Sequence, residues 1–195
     1  PTLLYKDFFM RKAYLTIDDS PSARTKELVD FLAEREIPAL LFVRGDQVEA
    51  YPDALAYAIE RVFLIGNHSF SHVPAGDLSF EAWRDDFERC EALIEAAYAR
   101  AGRSRGVRTY RFPYIDRGDG VRVERASASG GGLEITDNEA VARIQDYLKA
   151  QGIVQPFENM PDGYPVDAAD SLFAYTSGDW MLTARHRGRH AYKCV

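Results

Sequence analysis

"VFLIGNHSFSH", residues 62–72, runs from four apolar side chains into a polar cluster in which His68 and His72 stand four apart. The chain holds only four histidines, so half of them sit in this one stretch. A short apolar run that stops at polar residues reads as a buried strand, here 62–65, feeding a reactive loop. Working outward, "AYLTI" (13–17) and "ALLFV" (39–43) are strands of the same kind. "VRTYRF" (107–112) is a fourth, and "GIVQPF" (152–157) and "LFAYTS" (172–177) are two more. Between them, apolar residues recur at helical spacing over 22–36, 52–61, 79–99 and 137–151. The third of these carries a stripe of Phe80, Trp83, Phe87, Cys90, Ile94 and Ala97, with Ser79 placed as N-cap. Pro52 suits the first turn of the second.

Strands alternating with helices imply an α/β fold with a parallel sheet covered on both faces, either an open doubly wound sheet or a barrel. The turn after the first strand reads "DDSPS", without the glycines of a dinucleotide-binding fingerprint, which favours the barrel. The stretch 115–136 is rich in glycine and serine and reads as a long loop. With 195 residues, 46% of them apolar, the chain is expected to be one domain, 1–195, without a membrane span. A net charge of −6 argues against a nucleic-acid partner, the basic tail of Arg185, Arg187, Arg189 and Lys193 reading as a solvated face. Cys90 and Cys194 show no metal-ligand spacing. The opening "PTLLYKDFF" lacks the pattern of a secretory signal, so a cytoplasmic location is slightly favoured over secretion with the signal removed.

In a parallel barrel the reactive groups collect where strands end. "TIDDS" closes the first strand, "NHSFSH" the third and "RFPY" the fourth, and "GDW" (178–180) follows the last. Two imidazoles four apart on one side of a helical turn can grip one cation. A hydrolytic zinc site needs a third protein ligand and a place for water, and Asp18 or Asp19 can supply that ligand. A zinc protease would carry Glu after the first histidine, where this chain has Ser69. No nucleophile elbow surrounds Ser69 either.

These stretches resemble the motifs of the polysaccharide deacetylase family, carbohydrate esterase family 4: T-F-D-D-G, H-S/T-x-x-H, R-x-P-Y and D-x-x-D-W. The match runs in the same order over roughly residues 12 to 182. The resemblance implies a distorted, incomplete (β/α) barrel of about seven strands. It implies that Asp19, His68 and His72 hold a divalent metal, zinc first, with cobalt, nickel or manganese as alternatives. Asp18 is then the catalytic base, Arg111 orients it, the backbone N–H of Tyr114 serves the oxyanion, Asp179 supports the acid and Trp180 lines the acetyl pocket. The implied activity is removal of N-acetyl or O-acetyl groups from an acetylated polysaccharide or oligosaccharide. Hydrolysis of small cyclic amides such as allantoin, and a non-catalytic carbohydrate-binding barrel, are the alternatives.

Ile17 replaces the motif's Phe and Ser20 its Gly, which matters if that turn needs positive φ. The family's closing L-x-H, whose histidine protonates the leaving amine, has no counterpart in the fifteen residues after Trp180. His186 and His190 lie in a polar stretch instead. A barrel of eight strands takes about 250 residues, so truncation at the C-terminal end, with slowed turnover, is expected.

Overall fold

The structure is a computed structural model that describes residues 15–120, 139–154 and 175–176. Its centre is a parallel sheet of β1 (Leu15–Ser20), β2 (Ala39–Val43), β3 (Leu64–Asn67) and β4 (Tyr175–Thr176), in the order β3-β2-β1-β4. Leu15, Thr16 and Ile17 pair with Ala39, Leu40 and Leu41, and Leu40 to Val43 pair with Leu64 to Asn67. All five residues of β2 are buried, as expected of a central strand covered on both faces.

The helices α1 (Thr25–Ala33), α2 (Gly45–Ala50), α3 (Pro52–Glu60), α4 (Phe80–Arg100) and α5 (Glu139–Ala150) follow the strands. Val29 and Leu32 of α1, Leu55, Ala58 and Ile59 of α3, and Cys90, Ile94 and Ala97 of α4 close over Ile17, Leu41, Val43 and Ile65. The N-terminal half of α4 enters a second cluster, where Trp83 and Phe87 meet Tyr110, Phe112, Ile144, Leu148 and Ile153. The indole of Trp83 stacks on Phe87 and Phe112 and donates its N–H to the Tyr110 hydroxyl at 3.2 Å. Ser79 caps α4 by accepting the Ala82 N–H, and Pro52 opens α3.

Three expectations are corrected. The third strand lies at 64–67 rather than 62–65, because α3 closes in a turn through Val62 at φ 70° before the chain extends. Residues 107–112 join the sheet at a single bridge, Tyr110 to Asn67, and do not form a strand. Ile153 and Val154 are not in a strand; Val154 only donates its N–H to the Arg108 carbonyl. Helix α2 was not anticipated: it is six residues long, and its first N–H groups are spent on the loop after β3, Gly45 donating to Ser69 and Asp46 to Phe70. Four strands are present among the described residues; positions 121–136 and 155–157 and the tail carrying Cys194 lie outside them. No helix among the described residues is long and apolar enough to cross a membrane.

Gly66 in β3 admits the ring of Phe42 from β2. A Cβ there would stand 2.6 Å from the ring and 2.9 Å from Thr109 Cγ2. Overfilling a packed core costs about 1–3 kcal/mol. Gly66→Ala is therefore expected to lower unfolding stability by about that much in a urea titration; an unchanged midpoint would contradict this packing.

Candidate active site and metal centre

Thr16 and Asp18 stand two apart on β1, so a strand places them on one face. Both are buried, and both meet Arg111: Nη1 donates to Thr16 Oγ1 at 2.9 Å and to Asp18 Oδ1 at 2.7 Å. Asp19 would point to the opposite face in a regular strand. The register with β2 slips between Ile17 and Ser20, and Asp19 takes φ 59°. Such an irregularity re-aims a side chain, and here it turns both carboxylates towards His68. His68 Nε2 lies 3.9 Å from Asp18 Oδ2 and 3.9 Å from Asp19 Oδ1. The left-handed residue of this turn is thus Asp19 and not Ser20.

His68 and His72 do not share a helical turn. They sit in the non-helical loop after β3, where Ser69 (φ 66°) and His72 (φ 60°) both take left-handed backbone and fold the chain back on itself. Side chains hold this path. Ser69 Oγ accepts the His72 N–H at 2.9 Å, and Asn67 Oδ1 accepts the Ser69 N–H at 2.7 Å. Asp86 of α4 accepts the Phe70 and Ser71 N–H groups at 2.8 and 3.1 Å. The outcome brings His72 Nε2 to 3.2 Å from Asp19 Oδ1.

His68 Nδ1 donates to the Arg111 carbonyl at 2.8 Å, which fixes the tautomer and leaves the Nε2 lone pair facing the two aspartates. Burial, then the neighbouring His72, holds the His68 pKa well below the ordinary imidazole value; burial also lowers His72, against the pull of Asp19. Both shifts favour the neutral imidazole, the form that can ligate a cation. For Asp18, burial and Arg111 oppose each other. Burial wins and raises its pKa above the usual carboxylate value.

One ligand atom each of Asp19, His68 and His72 lies within 4.8 Å of the others. Asp19 Oδ1 is buried and has no hydrogen-bond donor among the described residues, an arrangement that a cation satisfies. Donors on one tetrahedral zinc at about 2.0–2.1 Å stand roughly 3.3 Å apart, close to the 3.2 and 3.9 Å between Asp19 and the two imidazoles. The residues present fit a divalent ion.

Tyr114 follows Arg111 in a short 3-10 turn and takes φ 56°. Its ring packs 4.9 Å from that of His72 and is 45% exposed, so it borders the mouth of the site. Asp116 secures this loop, Oδ1 accepting the N–H groups of Gly76, Gly118 and Gly120 at 3.0–3.1 Å. Asp179 and Trp180, like His186 and His190, lie outside the described residues.

The sequence profile of the family described as polysaccharide deacetylase matches residues 7–130. The chain belongs to this family. Its metal dependence agrees with the ligand set formed by Asp19, His68 and His72. A chitooligosaccharide deacetylase of Rhizobium leguminosarum bv. trifolii is 35% identical over 88 residues, 44% of this chain and 41% of that protein. Another, of Sinorhizobium fredii, is 34% identical over 116 residues, 59% of this chain and 52% of that protein. A peptidoglycan-N-acetylglucosamine deacetylase of Bacillus cereus is 27% identical over 88 residues, 44% of this chain and 32% of that protein. The matches thus span at most about half the length of these relatives. A solved mutant of a CE4 family pseudoenzyme with restored enzymatic activity shares the fold, with a TM-score of 0.51 at 22% identity over 70% of this chain and 42% of that one.

Several residues that build the site escaped the sequence reading. Thr16 was legible in principle from its place two before Asp18. Asn67 adjoins His68 but carries no signal of its own. Asp86 and Glu91 lie far along α4, and only the folded chain brings them to the loop.

A histidine whose folded pKa is lowered binds fewer protons folded than unfolded, so its contribution to stability is lost as pH falls below the unfolded value near 6.5. Metal-free protein is expected to lose melting temperature from about pH 6.5 downward, and His68→Asn to flatten that slope. Asp18, raised, opposes it at the acid end. Parallel profiles for parent and variant would contradict a neutral, buried His68.

Proposed function

We propose that this protein is a metal-dependent hydrolase that removes acetyl groups, from nitrogen or oxygen, on an acetylated polysaccharide or aminosugar oligomer, releasing acetate. The observation that carries the reading is the convergence of Asp19, His68 and His72 beside the buried Asp18–Arg111 pair. The relatives, chitooligosaccharide and peptidoglycan deacetylases, support the substrate class. Zinc is the metal the donor set favours: two imidazole nitrogens and a carboxylate leave a fourth position open. Around this core the fold is read as a distorted (β/α) barrel of about seven strands.

Asp19 Oδ1 and the Nε2 atoms of His68 and His72 would hold the ion, which when bound lowers the pKa of a water towards about 7 and polarises a carbonyl. Asp18 is the base. Arg111 engages its Oδ1, so Oδ2, the oxygen facing His68, is left to take the proton of the attacking water. Burial strengthens it for that task by raising its proton affinity. The contact is a single one, Nη1 to Oδ1, and not the bidentate pairing the resemblance implies; Thr16 and the Phe42 ring, 4.1 Å away, hold the guanidinium in turn. The backbone N–H of Tyr114 is assigned to the developing oxyanion, a preorganised donor of the sort acyl transfer exploits. Asp179 and Trp180 keep their roles, support of the acid and lining of the acetyl pocket, from motif position alone.

Acetate release from acetylated chitooligosaccharides is expected to vanish on chelation and return with zinc. Asp18→Asn should lower kcat by roughly 10²–10⁴ while zinc binding stays within about threefold. Activity that survives either treatment would remove the reading.

A further inference from the structure

The loop that presents His68 and His72 leaves β3 at Asn67, the last residue of the strand, which is fixed from behind. Asn67 is fully buried. While its Oδ1 accepts the Ser69 N–H, its Nδ2 donates to the Phe87 carbonyl at 3.1 Å and to Glu91 Oε1 at 3.0 Å, both on α4. Glu91 is buried as well, and it accepts from Arg105 Nη1 at 2.7 Å and from Arg108 Nη2 at 3.0 Å. Those arginines begin the segment that ends at Arg111, and the segment is tied to the same Asn67 by its backbone: Asn67 donates to the Thr109 carbonyl and accepts the Arg111 N–H, each at 2.9 Å. One buried carboxylate therefore joins α4, the ligand loop and the Arg111 segment.

We propose that Glu91, acting through Asn67, is a positioning residue that sets the separation of the metal-binding imidazoles. The inference rests on the metal reading of the site above. Neither residue reaches the ligands directly. Asn67 fixes the left-handed Ser69, whose hydroxyl fixes the His72 N–H, while the pairing of Asn67 with Arg111 N–H keeps the Arg111 carbonyl against His68 Nδ1. Both imidazoles thus depend on Asn67, His72 through its side-chain amide and His68 through its main chain, and Glu91 with the Phe87 carbonyl holds that side-chain amide in place. Groups that orient metal ligands in this way change affinity by about 10–100-fold when removed.

The test is zinc affinity of the full chain, measured by competition with a chromophoric chelator on metal-free protein that keeps the parental circular dichroism spectrum. Asn67→Ser and Glu91→Ala are each expected to weaken zinc binding by about tenfold or more, whereas Glu91→Gln, which still offers Asn67 an acceptor, stays closer to the parent. Weakening of at least about fivefold in either folded alanine or serine variant supports the proposal. A smaller change in both, even with a lowered melting temperature, overturns it. So does loss of the fold in both, since the pair would then hold the core and not the ligands. A parent that binds no zinc would overturn the metal reading itself, and this inference with it.

Discussion

Both halves of the site depend on where one residue, Arg111, is held. Its carbonyl fixes the tautomer of His68, and its guanidinium holds Asp18. The side chain is almost wholly buried, and a buried charge is tolerated only beside a partner with good geometry. Asp18 at 2.7 Å, Thr16 at 2.9 Å and the face of Phe42 provide it. The pairing that accommodates Arg111 therefore also holds Asp18 beside Asp19 and His68. Removing one partner of such a pair typically costs about 3–5 kcal/mol, so the same contact serves stability and chemistry.

Local strain completes the arrangement. Asp19, Ser69, His72 and Tyr114 all take positive φ, and each borders the site. Non-glycine residues persist in that conformation only where their surroundings determine it. For Ser69 and His72 the surroundings are identifiable: Asn67 and the Ser69 hydroxyl hold the turn, and Asp86 holds the next two amides. Asp19 owes its direction to the slipped register of β1 against β2.

The residue types were legible in the sequence for a physical reason. Asp18, Asp19, His68, His72 and Arg111 are polar groups at the ends of apolar runs, and a covered parallel sheet gathers such ends. The strand of 39–43 and the stripe on α4 were likewise visible, because burial of that extent leaves a periodic trace. Geometry was less visible. A four-residue spacing of histidines suggested a helical turn, but two left-handed residues achieve the same convergence in a loop, and nothing in "HSFSH" displays φ. Residues 107–112 have the composition of a strand, yet they pair with β3 at one bridge only. Asn67 and Glu91, 24 positions apart, become neighbours only through the packing of α4.

The most direct test of the central claim, that Asp19, His68 and His72 share one ion, is X-ray absorption of the zinc-loaded protein. Two imidazole scattering paths at about 2.0–2.1 Å together with carboxylate oxygen are expected, with one imidazole path lost in His72→Ala. A spectrum with no imidazole contribution, or one identical in parent and His72→Ala, would contradict it.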